Sequence, residues 1–255
     1  MIEYELNGDI AQIRLSAPER LNAIDAHGFE RLLDAFERAQ RSDARVVLLT
    51  GAGRSFCAGR DARELDPDAE VPGDVLRRTF NALVAKISGL SVPTIAAVQG
   101  DCLGAGTGIA LACDLVIAAE DARFASPFGR LGAVPDSGFH WFVTTRIGAA
   151  IAKDMILTGR TLSGRDAAGA GLIARAVSAD ELAEAAYALA LEVAQGPTVA
   201  LQLSMRLVDM AAAGASLADV LDGEANAQNR AFATDDLREG LAAFRERRAP
   251  KFTGR

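Results

Sequence analysis

The chain has 255 residues, 50% hydrophobic and 24% charged, which suits one large domain with a substantial core. Its 27 Lys and Arg against 34 Asp and Glu leave a net charge of -7, a sign that disfavours general nucleic-acid binding by phosphate neutralisation. The opening MIEYELNGD lacks the pattern of a secretory leader, and the bland run Cys102 to Cys113 is too short to cross a bilayer.

IEYEL and IAQIRL flank Asn7-Gly8-Asp9 and predict a β-hairpin. Phe29, Leu32, Leu33 and Phe36 recur at helical spacing after Asp25, so a helix follows. Arg45 to Thr50 is an apolar run that suits a buried strand. The acidic, proline-containing stretch Asp66 to Gly73 reads as an exposed loop, and a helix from about Asp74 to Leu90 leads to a second buried strand, Thr94 to Val98. A glycine-rich turn over Gly100 to Gly108, a small-residue helix and a third strand, Leu115 to Ala119, come next. Strands alternating with helices imply an α/β body with parallel pairing.

From Ser163 the pattern turns helical: Ser163 and Asp166 form a cap, and Leu182, Ala185, Ala186, Leu189 and Val193 share one helix face. Gly196-Pro197 restarts the chain, and Leu237, Leu241 and Phe244 mark a last helix. The expected division is an α/β body over 1–196 and a helical region over 197–255. Only His27 and His140 are present, so no histidine-rich metal site is expected. Cys57, Cys102 and Cys113 make no CxxC pair, which fits a reducing compartment and a cytoplasmic location.

Three segments carry chemistry. Gly51 to Asp61 follows a buried strand, and its glycines permit conformations that expose consecutive N–H groups; a plain tight connection is the alternative. Gln99 to Gly108 opens a helix, whose unpaired N–H groups and positive dipole end suit a developing oxyanion. Its GxGxG spacing and mid-chain place argue against a dinucleotide fingerprint. In Val134 to Phe142 a single carboxylate, Asp136, sits among Phe128, Val134, Phe139, Trp141 and Phe142. Burial there would raise its pKa toward general-base range, whereas Pro-Asp-Ser-Gly also suits a helix cap; both readings stand. Ser137 with His140 lacks the GxSxG elbow of a serine nucleophile.

The segments Pro18 to Ala23, Gly51 to Asp61, Gln99 to Asp114, Leu157 to Gly159, Ala167 to Leu172 and Lys251 to Arg255, in this order and spacing, resemble the enoyl-CoA hydratase/isomerase (crotonase) superfamily over essentially the whole chain. The resemblance implies a spiral of ββα units, a C-terminal helical region that packs in trimers or dimers of trimers, and an acyl-CoA substrate with no separate cofactor and no metal. It implies an oxyanion hole from the backbone N–H groups of Arg60 and Ala105. It further implies CoA contacts by Asn22, Ala23, Ala58, Gly59 and Asp61, with Lys251 and Phe252 near a neighbouring subunit's ligand. Phe128, Phe139 and Trp141 would line the acyl pocket. The two glutamates of family hydratases correspond here to Gly108 and Phe128, neither able to move a proton. Asp136 matches the acid of family isomerases, and its surroundings most resemble the isomerases of phenylacetate breakdown. A dehalogenase-type site would pair the aspartate with a tryptophan where Phe128 stands. Double-bond isomerisation is therefore expected, with hydration or another acyl-CoA activity on the same scaffold as the alternative; RNA binding is disfavoured by the net charge.

Overall fold

The computed structural model describes residues 1–64, 68 and 71–255. It opens with the expected hairpin, β1 (Ile2–Asn7) antiparallel to β2 (Ile10–Leu15), closed by Gly8 at positive φ. Helix α1 (Ala26–Arg41) starts where Asp25 accepts the Gly28 N–H at 2.6 Å, and it buries Phe29, Leu32 and Phe36. Strand β3 (Val46–Gly51) follows, then α2 (Pro72–Arg78) and α3 (Phe80–Ser88). The expected single helix over this stretch breaks at Thr79, at φ -113° and ψ -103°. Only α3 buries side chains, among them Phe80, Leu83 and Ile87. Pro72 begins α2 inside the expected loop, since proline suits a first helical turn. Most of the rest of that loop lies outside the described residues.

Two ββα units come next. In the first, β4 (Thr94–Val98) and β5 (Asp101–Leu103) lead to α4 (Ala105–Ala112). In the second, β6 (Leu115–Ala119) and β7 (Arg123–Ala125) lead to α5 (Phe139–Ile147) and α6 (Ala149–Thr158). After β8 (Leu162–Ser163), helix α7 (Gly164–Ala170) is capped by Ser163, and β9 (Arg175–Val177) precedes α8 (Leu182–Ala194). The short strands β5, β7, β8 and β9 escape sequence periodicity, because two or three residues cannot display an alternation.

The first strand of each unit joins one sheet and the second strand another. The large sheet has the order β1-β2-β3-β4-β6-β9, parallel beyond the hairpin, and the small sheet has β5-β7-β8. Every residue of β4 is buried, as parallel strands covered on both faces require. Helix α8 packs across β2, β3, β4 and β6. Single bridges, Cys57 to Cys102 and Ile24 to Arg60, extend the small sheet to the segment after β3.

Helices α9 (Thr198–Ala212), α10 (Leu217–Ala231) and α11 (Asp235–Glu246) complete the chain. Of these, α10 buries no residue, and Leu217 (74% exposed), Phe232 (63%) and Phe244 (83%) face outward. Arg45 ties this region to the body: its guanidinium donates to Thr198 Oγ1, the Gly196 carbonyl and the Phe252 carbonyl. The buried Asp236 carboxylate accepts from the Thr253 and Gly254 N–H groups and holds the tail. Among the described residues, no helix is long and apolar enough to cross a membrane.

Candidate active site at the start of helix α4

Helix α4 begins at Ala105, so the N–H groups of Ala105, Gly106 and Thr107 have no carbonyl within the helix to bond. The Gly104 N–H goes to the Ala125 carbonyl, and the Thr107 hydroxyl donates to the Cys102 and Ala125 carbonyls, fixing the first turn to β5 and β7. The segment after β3 runs close by. A Cβ built on Gly59 would lie 3.3 Å from the Ala105 nitrogen and 2.8 Å from the Leu103 carbonyl oxygen, so only glycine permits the approach. The Ile24 N–H bonds the Gly59 carbonyl and the Asp61 N–H bonds the Ile24 carbonyl. In a parallel bridge those two bonds turn the N–H of the intervening Arg60 to the opposite side, away from Ile24. Cys57 helps set this geometry: its sulfur accepts from the Gly59 N–H at 3.4 Å and donates to the Asn22 carbonyl at 3.2 Å. Burial pushes its thiol up to about 12, so it stays protonated and inert.

The turn that carries Asp136 meets α4 at Gly108. In it the Phe139 N–H bonds the Asp136 carbonyl at 3.0 Å, with Ser137 and Gly138 both at positive φ. Helix α5 therefore starts at Phe139, two residues later than the capping reading requires, and Gly138 stands at its N-cap with no side-chain cap. The Asp136 carboxylate does not cap; its Oδ1 accepts the Ser137 hydroxyl at 2.8 Å. Burial pushes its carboxyl above the usual carboxylate range, opposed by the Ser137 hydroxyl and by the charges of Arg60 and His140. Buried Ser137 packs on the first turn of α4: a Cβ built on Gly108 would lie 2.1 Å from the Ser137 carbonyl oxygen. The Phe128 ring lies on Gly104, 3.1 Å from where a Cβ would stand. Among the described residues, the turn that carries the Asp136 carboxylate, the segment of Gly59 to Asp61 and the Phe128 ring thus meet at the start of one helix.

A family model described as enoyl-CoA hydratase/isomerase matches residues 5–255. The chain belongs to the enoyl-CoA hydratase/isomerase family. It is 38% identical over 251 residues to 1,2-epoxyphenylacetyl-CoA isomerase of Escherichia coli (strain K12), covering 96% of this chain and 95% of that one. It is 37% identical over 254 residues to a Rhodobacter capsulatus protein named a probable enoyl-CoA hydratase, covering 100% of this chain and 98% of the relative. Among solved structures, the enoyl-CoA hydratase from Bacillus anthracis superposes with a TM-score of 0.90 at 30% identity, covering 100% of this chain and 99% of that one. Both names fall within the description of the family to which this chain belongs.

The remaining expected site residues fall into separate groups. Asn22, Ala23, Ala58, Gly59 and Asp61 come together, because the Ala58 N–H bonds the Leu21 carbonyl alongside the Ile24 bridge. Within this group the Asn22 amide is committed to the chain itself, accepting from the Ala17 N–H and donating to the Ala52 and Ser55 carbonyls. The hydrogen-bonded Arg63 guanidinium, helped by Arg20, holds the Asp61 carboxyl down at about 2, so it is a charged anchor. Lys251 and Phe252 lie apart on the tail, where Glu239 accepts the Lys251 N–H and Arg45 bonds the Phe252 carbonyl. Phe139 is a core residue at 1% exposure. Trp141, 55% exposed, lines a different cavity beside α9, bounded by Val84, Phe142, Met205 and Val208. Phe128 packs on Gly104, the residue that precedes α4. Among those residues, no cluster of three or more His, Cys, Asp or Glu side chains could hold a metal ion.

Proposed function

We propose that this family member is an acyl-CoA double-bond isomerase that converts β,γ-enoyl thioesters to α,β-enoyl thioesters. The observation that carries the reading is the carboxylate of Asp136, half-buried on the turn whose next residue, Ser137, packs against Gly108 of α4, while positions 108 and 128 hold glycine and phenylalanine. The thioester carbonyl oxygen accepts hydrogen bonds from the Arg60 and Ala105 N–H groups, at the positive end of α4. Asp136 takes a proton from the α-carbon, and the electron pair delocalises into a dienolate whose oxygen those donors stabilise. The same carboxylic acid returns the proton at the γ-carbon, and the double bond moves into conjugation. Hydration needs a group to activate water and another to protonate carbon; with Asp136 the one carboxylate assigned to the site among the described residues, the shuttle is the better supported chemistry.

Ala23, Ala58, Gly59 and Asp61 are proposed to surround the adenine end of CoA, with Lys251 and Phe252 of a neighbouring subunit closing it. The C-terminal helices are proposed to pack in a trimer or a dimer of trimers, which would cover their outward apolar side chains. Replacing Asp136 by Asn tests the base. Isomerisation, followed by the absorbance of the conjugated thioester, should fall by about 10²–10⁴ with CoA affinity unchanged. Equal rates would remove Asp136 from the mechanism.

A further inference from the structure

We infer that Ser137 is a positioning residue for the base: its hydroxyl holds Oδ1 of Asp136 and leaves Oδ2 as the oxygen that carries the proton. The inference rests on Asp136 being the base. A carboxylate with two equivalent oxygens can rotate and present either one. Here one of them takes the Ser137 hydroxyl at 2.8 Å, and the donor itself cannot move away. Ser137 is 1% exposed and packs on Gly108, where no side-chain atom separates it from the α4 backbone. Its backbone is equally fixed, with φ at 54° and Gly138 at 78° in a turn closed by the bond from Phe139.

Glycine is the default residue at such a φ, and it occupies the next position. A serine there gives up backbone comfort and gains only what its hydroxyl does, and that hydroxyl is spent on Asp136. The bond persists through the shuttle. With Oδ2 ionised the hydroxyl donates to a charged group; with Oδ2 protonated, Oδ1 is a carbonyl-type acceptor that still receives it. The proton therefore leaves and returns on one face of the dienolate.

Among the described residues, the charged groups that act on Asp136 are Arg60, from the segment after β3, and His140, from α5; residues 105–108 of α4 carry no titratable side chain. Both neighbours favour the carboxylate, as the Ser137 hydroxyl does, and all three oppose the effect of burial. Removing the hydroxyl should thus raise the pH at which the base becomes active, which a purely structural serine would not do.

The test compares the pH dependence of isomerisation for wild type, Ser137→Ala and Ser137→Gly, with Asp136→Asn and CoA affinity as controls. Ser137→Gly relieves the positive φ and keeps the measurement available if the alanine variant folds poorly. The acid limb of kcat should move to higher pH by about one unit or more in both variants, the scale of one lost hydrogen bond to a charged group. Turnover on the plateau should also fall, since Oδ2 is no longer aimed. An acid limb that stays in place in both variants, while Asp136→Asn is inactive, overturns the role of Ser137 and leaves the base standing. An active Asp136→Asn overturns the base itself, and with it this inference.

Discussion

Adding one methyl group at Gly108 tests how closely the turn that carries Asp136 is packed on α4. A Cβ there would stand 2.1 Å from the Ser137 carbonyl oxygen and 2.6 Å from its Cβ, far inside contact distance. The obstruction is backbone, so it cannot rotate aside. Overpacking of this kind costs about 3 kcal/mol, the upper end of the usual range. Replacing a helical glycine by alanine returns about 1 kcal/mol through the unfolded chain, leaving about 2 kcal/mol of net loss. For a chain near this size that is a fall of roughly 4–8 °C in Tm. Ser137 must also shift and carry Asp136 with it, and a displacement near 1 Å costs on the order of 10² in rate. Gly169, exposed in α7 with nothing within 4 Å of its Cβ position, is the control: Gly169→Ala should melt at or slightly above wild type. Circular dichroism melts and the isomerase assay on Gly108→Ala give both readouts. A variant with wild-type Tm and wild-type turnover would refute the packing argument. Success would also explain why glutamate cannot simply be restored at position 108 to give a hydratase.

Asp61, at 3.8 in the unfolded chain and about 2 when folded, contributes stability that is complete above about pH 4 and lost as pH falls toward 2. Asp61→Asn should remove that acid dependence, seen as a flatter Tm profile from pH 4 to 2; an unchanged slope would show that the Arg63 pair does not matter. Deleting residues 250–255 should weaken CoA affinity more than it lowers turnover of bound substrate, measured by calorimetry and saturation kinetics, and equal affinity would count against a ligand role for the tail. Light scattering should report a trimer or a dimer of trimers at micromolar concentration, while a stable monomer would sink the proposal made for Leu217, Phe232 and Phe244.

The large parallel strands were legible because burial on both faces writes a continuous apolar run, as in β3 and β4. The cap at Ser163 was legible because the side chain that bonds the backbone is named in the sequence. The small sheet was not, since its strands are too short to show a period and are fixed by contacts between distant segments, such as the Cys57 to Cys102 bridge. At the site, Asp136 stood out as a single acid among apolar neighbours, but whether it capped α5 depended on where that helix begins. Nor did sequence distinguish the aromatics: Phe128, Phe139 and Trp141 lie close together in the chain, yet Phe128 packs on Gly104, Phe139 is buried in the core and Trp141 lines a cavity beside α9. The braces Asn22 and Cys57 were invisible as such, because their partners are main-chain groups that leave no mark on composition.

The approach of Gly59 to the Ala105 nitrogen has an evolutionary corollary. Both proposed oxyanion donors belong to the peptide backbone, and the pieces that hold them in register are a glycine, main-chain bonds and the side chains of Cys57 and Thr107. Mutation can therefore exchange the Arg60 and Ala105 side chains and leave the N–H groups behind. The proposed proton carrier, by contrast, comes from a separate turn between β7 and α5, where a single codon change replaces the acid. Divergence in such a molecule is asymmetric: grip on the thioester is inherited, whereas the reaction performed on it is free to drift.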